Sequence, residues 1–85
     1  MTTTDNSQVN IGKSIFNDIW NDLICEQFEV VRDVFYGSHE GRDIIEVCLW
    51  NGCTLADVSG DVHELEILLE GSDSWGRVYT LAVRA

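Results

Sequence analysis

Carboxylates at regular spacing are the residues of this chain that carry chemistry. Asp18, Asp22, Glu26 and Glu29 follow one another at intervals of four, four and three. On a helix that spacing stacks side chains on one face about 5 to 6 Å apart. A second set, Asp57, Asp61, Glu64, Glu66, Glu70 and Asp73, occupies a stretch without Lys or Arg. If Val62 to Glu70 is a strand, its side chains alternate, so Glu64, Glu66 and Glu70 share a face at about 6.7 Å separation. Rows of this kind bind cations of another molecule: lysine and arginine side chains, not phosphates.

The rows work against the chain that holds them. Like charges at helical neighbour positions cost a few tenths of a kcal/mol each, and no cation lies between Lys13 and Arg32 to offset them. The chain has 85 residues, 15 acidic and 5 basic, a formal net charge of −10. Its five cations are Lys13, Arg32, Arg42, Arg77 and Arg84, none adjacent to another, which argues against direct nucleic-acid binding. A basic protein surface is the partner the charge favours.

Other chemistry finds less support. Cys25, Cys48 and Cys53 with His39 and His63 are the only nucleophile and base candidates, and no catalytic signature surrounds them. An enzyme is not expected. The three cysteines have no disulfide-framework spacing and read as small, reduced, buried or half-buried apolar residues. Neither an EF-hand pattern around Asp57 to Asp61 nor a phosphate loop at Gly37 to Gly41 is present, so no metal and no cofactor is expected. Phe16, Trp20 and Phe28 sit at core spacing. Trp75, in a Gly-Ser-Asp-Ser loop, reads either as an exposed interface anchor or as a lid folded onto the core. Trp50 reads as a hot spot or as a cross-strand neighbour of Cys53.

Elements that position these residues follow from the apolar pattern. Met1 to Asn10 is polar and reads as a flexible tail, with residues 11 to 85 forming one domain. No leader, spanning segment or interdomain linker is read, which places the protein in the cytoplasm without a membrane partner. Ile11, Ile15, Phe16, Ile19, Trp20, Leu23 and Ile24 recur at three and four, predicting a helix over about 11 to 26 with Asn10 at its N-cap. Five beta-like runs follow: Phe28 to Tyr36, which could also prolong the helix, Asp43 to Trp50, Cys53 to Ser59, Val62 to Glu70 and Arg77 to Arg84. Asn51-Gly52 predicts a type I′ hairpin, with Trp50 facing Cys53, Cys48 facing Leu55 and Glu46 facing Asp57. Gly37 to Arg42 and Gly71 to Gly76 read as longer hairpin loops. The expected fold is α+β: one N-terminal helix packed on an antiparallel meander of four to five strands.

Small size, strong negative charge and carboxylate rows together resemble a class, the acidic inhibitors encoded by phages and mobile elements, such as anti-CRISPR and antirestriction proteins that mimic DNA. The resemblance implies a non-enzymatic protein that occupies the nucleic-acid site of a host nuclease or CRISPR effector complex. The residues expected to meet that partner are Asp18, Asp22, Glu26, Glu46, Asp57, Glu64, Glu66, Glu70 and Trp75. The alternative is an antitoxin or immunity protein that neutralises a basic toxin.

Overall fold

The computed structural model describes residues 16–84. The described helix, α1, covers 16–26 and turns Phe16, Ile19 and Leu23 inward. Residues 11–15 and the N-cap assigned to Asn10 lie outside the described residues, as does the tail. The helix ends one residue before Gln27, whose carbonyl accepts from both Val30 N–H at 3.0 Å and Val31 N–H at 2.8 Å. This tight turn places Glu29 off the helix. It also leaves Phe28 63% exposed, so Phe28 belongs neither to the core nor to a strand.

Four strands follow: β1 Val31–His39, β2 Arg42–Leu49, β3 Glu66–Asp73 and β4 Gly76–Ala82. They form one antiparallel sheet in the order β1-β2-β4-β3. The α+β class and the helix-on-sheet packing are those expected, but the strands are not in meander order. Two hairpins lie side by side and are joined by β2 and β4, so the two most apolar strands take the centre.

The type I′ turn sits elsewhere than at Asn51-Gly52. His39 pairs with Arg42, and the two residues between them, Glu40 and Gly41, have φ of 52° and 80°, the positive pair that type I′ requires. At Asn51-Gly52 only Gly52 has positive φ, 90°, and Cys53 N–H donates to Trp50 carbonyl at 3.0 Å. That is the pattern of a type II turn, whose twist does not match a hairpin. The chain therefore leaves the sheet, and the ladder expected to pair Glu46 with Asp57 and Cys48 with Leu55 does not form. Cys53 to Ser59 is no strand. Asp57 carboxylate accepts from Thr54 N–H at 2.8 Å and closes the 3₁₀ turn Leu55–Asp57 instead. A second 3₁₀ turn, Asp61–Glu64, takes what was expected to be the start of a strand. The stretches expected as long loops are mostly strand, each reduced to a two-residue turn.

The segment from Trp50 to Leu65 crosses over β4 to reach β3 and supplies the core beside the helix. Val58, Val62 and Leu65 from this crossover join Phe16, Ile19 and Leu23 of α1 against Val31, Val34, Ile45, Val47, Leu49, Tyr79 and Leu81 of the sheet. Tyr79 hydroxyl accepts Leu55 N–H at 3.2 Å, fastening the crossover to β4. Burial of a leucine such as Leu23 contributes about 2 to 5 kcal/mol by the cost of truncating it to alanine. Gly76 closes the second hairpin where no side chain fits: a Cβ there would lie 2.1 Å from Leu49 carbonyl oxygen.

Candidate functional site: an acidic groove between helix and crossover

The groove is assembled by Gln27. Its amide Nε2 donates to Asp22 Oδ2 and to Ser59 carbonyl, each at 2.7 Å, and its Oε1 accepts Ser59 N–H at 2.7 Å. The two bonds to Ser59 tie the end of α1 to the crossover, and the third fixes the Asp22 carboxylate beside them. Gly60 follows at φ 97°, where a Cβ would stand 2.9 Å from Asp22 Oδ2, so only glycine lets the backbone pass this close to the helix. His63 Nε2–H donates to Val58 carbonyl and holds the 3₁₀ turn closed.

These contacts bring Asp61 and Glu64 opposite Asp18 and Asp22. Two adjoining hollows, about 250 and 330 Å³, share Asp18, Ile19 and Asp61; the first adds Asp22 and Gly60, the second Glu64, Leu65, Val83 and Arg84. Ile19 and Leu65 are buried and form the apolar floor, while Asp18, Asp61 and Glu64 are exposed on the rim. Arg84 closes one end, its guanidinium turned onto the carbonyls of Glu64 and Leu65 at 3.2 and 3.5 Å. The negative field reaches beyond the groove. Burial, with the Asp18 carboxylate adding to it, raises the pKa of Tyr36, whose hydroxyl donates to Asn17 Oδ1 at 2.7 Å.

Such a groove can take a guanidinium or ammonium on a short apolar stem, with the stem on Ile19 and the head beside Asp18, Asp61 and either Asp22 or Glu64. Among the described residues no group of three or more side chains is placed to hold a metal ion.

The structure divides the expected contact residues. Asp18, Asp22 and Glu64 meet in the groove. Glu26 is exposed one turn further along α1, beside Asn21, Asp22 and Cys25. Glu64, Glu66 and Glu70 do not share a face: Glu64 lies on the 3₁₀ turn, and an irregularity between Ile67 and Leu69 reverses the alternation. Glu66 pairs with Arg42 at 3.3 Å and Glu70 with Arg77 at 3.2 Å, so both charges are met within the chain. Asp57 is committed to its turn, and Glu46 lies half-buried on the opposite face of the sheet. Trp75 is 62% exposed at the tip of the β3–β4 hairpin and is not a lid. Trp50 donates its indole N–H to Phe28 carbonyl at 3.2 Å rather than packing across from Cys53. Cys25 is exposed, against the expectation of burial, while Cys48 is buried and Cys53 half-buried.

Asp61, Gln27 and Gly60 complete the groove beyond the expected set. Asp61 carries a readable signal, its spacing of three from Glu64; Gln27 acts on Ser59 across 32 residues and Gly60 on Asp22 across a longer span still, and neither carries one. No helix among the described residues is long and apolar enough to cross a membrane. Comparison with sequence models of known families, with characterised proteins and with solved structures gives no match.

Proposed function

We propose that the protein is a non-enzymatic acidic inhibitor that binds the basic, nucleic-acid-recognising surface of a nuclease or CRISPR effector complex through the groove between α1 and the crossover. The observation that carries this reading is the convergence of Asp18, Asp22, Asp61 and Glu64 on one groove while the arginines of the described residues are turned to intramolecular acceptors. Among the described residues none of the four carboxylates is in an ion pair, and a cationic partner neutralises them on binding. Association is then fast and salt-sensitive.

The test is displacement of labelled DNA or RNA from purified nucleases and CRISPR effector complexes, followed by fluorescence anisotropy at rising salt. The wild type displaces the nucleic acid from its target, and log Kd rises with log salt. The triple variant Asp18→Asn, Asp61→Asn, Glu64→Gln binds at least about tenfold more weakly with a shallower salt slope, a loss of about 1.4 kcal/mol. Displacement that is equal for both proteins and indifferent to salt refutes the reading, and selective capture of a small basic toxin replaces it with the antitoxin alternative.

A further inference from the structure

The turn that ends α1 and the residue that follows β2 expose two aromatic side chains at one corner of the molecule. Phe28 sits in the tight turn closed on Gln27 carbonyl by Val30 and Val31 N–H, and it is 63% exposed. Trp50 is 42% exposed. Two bonds bring it to that turn: its backbone N–H donates to Val30 carbonyl at 3.0 Å and its indole N–H to Phe28 carbonyl at 3.2 Å. The indole is thereby fixed against the backbone of Phe28. Neither side chain belongs to the core cluster, so this aromatic area faces water.

The charge beside it is negative and unmet. Glu26 ends α1, Glu29 follows Phe28 in the turn, and both are exposed; among the described residues neither is in an ion pair. The last turn of a helix is itself the negative end of its dipole and favours cations. Arg32, the nearest cation along the chain, is turned away to Asp73 at 2.7 Å. Trp75 differs in this respect. It is as exposed as Phe28, but the Asp73 carboxylate near it is already met by Arg32 and by the N–H groups of Trp75 and Gly76.

We infer that Phe28 and Trp50 are the docking point for an arginine side chain of the basic partner, with Glu26 and Glu29 as its counter-charges. This rests on reading the protein as a binder of basic surfaces, and it adds which side chain is taken and where. Two requirements meet at the corner. An apolar residue would cover the rings but leave two carboxylates unpaired and partly dehydrated beside it. A lysine ammonium would answer the charge, but it is a compact, strongly hydrated point with no flat face to lay on a ring. A guanidinium does both: it stacks on an aromatic face and donates to a carboxylate in its own plane.

The corner continues the acidic groove along α1. Asp22 lines the hollow beside Gly60 and also a further hollow of about 350 Å³ with Asn21, Cys25 and Glu26. From Asp22 to Glu26 is one turn of helix, about 6 Å. A basic surface that seats one cation in the groove therefore has a second contact close by. The two act differently: the groove works through long-range charge and the rate of association, the rings through short-range contact and the rate of release.

Oligoarginine and oligolysine peptides of equal length, titrated into the isotope-labelled full chain and followed by NMR, test the inference. The indole N–H signal of Trp50, identified by its loss in Trp50→Phe, shifts with oligoarginine and still shifts in the groove variant Asp18→Asn, Asp61→Asn, Glu64→Gln. Phe28→Leu lowers the preference for oligoarginine over oligolysine by about two- to fivefold. Circular dichroism and thermal melting confirm that this exposed substitution leaves the fold intact. A Trp50 signal that ignores oligoarginine, a shift that disappears in the groove variant, or a preference that Phe28→Leu leaves unchanged overturns the arginine site while the groove reading stands on its own displacement test. A chain that binds neither peptide overturns both.

Discussion

Replacing Gly60 with alanine measures how firmly the groove is built. Two costs arise at this position. A residue with a Cβ at φ 97° and ψ −159°, a region essentially confined to glycine, costs about 1 to 3 kcal/mol for the backbone. The new methyl also stands 2.9 Å from Asp22 Oδ2, so the carboxylate must swing away and give up its 2.7 Å bond from Gln27, worth about 0.5 to 1 kcal/mol at a part-buried site. Gly60→Ala is expected to destabilise by about 1.5 to 4 kcal/mol in total, read from urea unfolding at constant m. The two costs separate in a double-mutant cycle with Asp22→Ala. Once the carboxylate is gone the clash is gone, and Gly60→Ala then costs only the backbone share, leaving a coupling of about 0.5 to 1 kcal/mol. A loss below about 0.5 kcal/mol in the wild-type background, or no coupling with Asp22, would mean that helix and crossover are not held at this distance.

Two further outcomes are expected. Backbone N–H bonds from Trp75 and Gly76, with Arg32 beside it, hold the Asp73 carboxyl below its ordinary value of 3.8. A depressed folded-state pKa stabilises above the unfolded value and the benefit is lost as pH falls through the folded one. Asp73→Asn is therefore less stable than wild type at pH 6, and the gap closes as the pH falls below the ordinary carboxyl value of 3.8 in acid unfolding followed by circular dichroism; a gap that is constant with pH refutes this. The cysteines differ in reach: burial, then the field of Glu46, raises the pKa of the Cys48 thiol, while Cys25 is exposed. Iodoacetamide followed by mass spectrometry should label Cys25 at least about a hundredfold faster than Cys48, whose labelling appears only on unfolding.

What the sequence shows of this fold is what depends on neighbours. The three-and-four spacing of Phe16, Ile19, Trp20 and Leu23 is a property of one turn and the next, and it marks the helix. Val and Ile runs mark β2 and β4 for the same reason. Asn51-Gly52 carries the strongest type I′ signal of the sequence, because asparagine and glycine both tolerate positive φ. The fold instead places the turn at Glu40-Gly41, where the strands already meet, and forces Glu40 to φ 52°. Strand order lay outside local reasoning, since the β2–β4 ladder is decided by burial of two apolar strands. In the same way half of the groove was legible, the i to i+4 carboxylates of α1, while the opposing half depended on Gln27 reaching Ser59.

The β2–β4 ladder also orders events in time. Each hairpin closes locally, whereas the ladder joins residues from Cys48–Val78 to Ile44–Ala82, 30 to 38 positions apart. Such closure pays its entropy before its contacts form, so it comes late in folding. Asp61 and Glu64 lie inside the loop that this ladder closes. The four carboxylates therefore face one another only in the finished molecule, and a partner that reads them selects against every partly folded form of the chain.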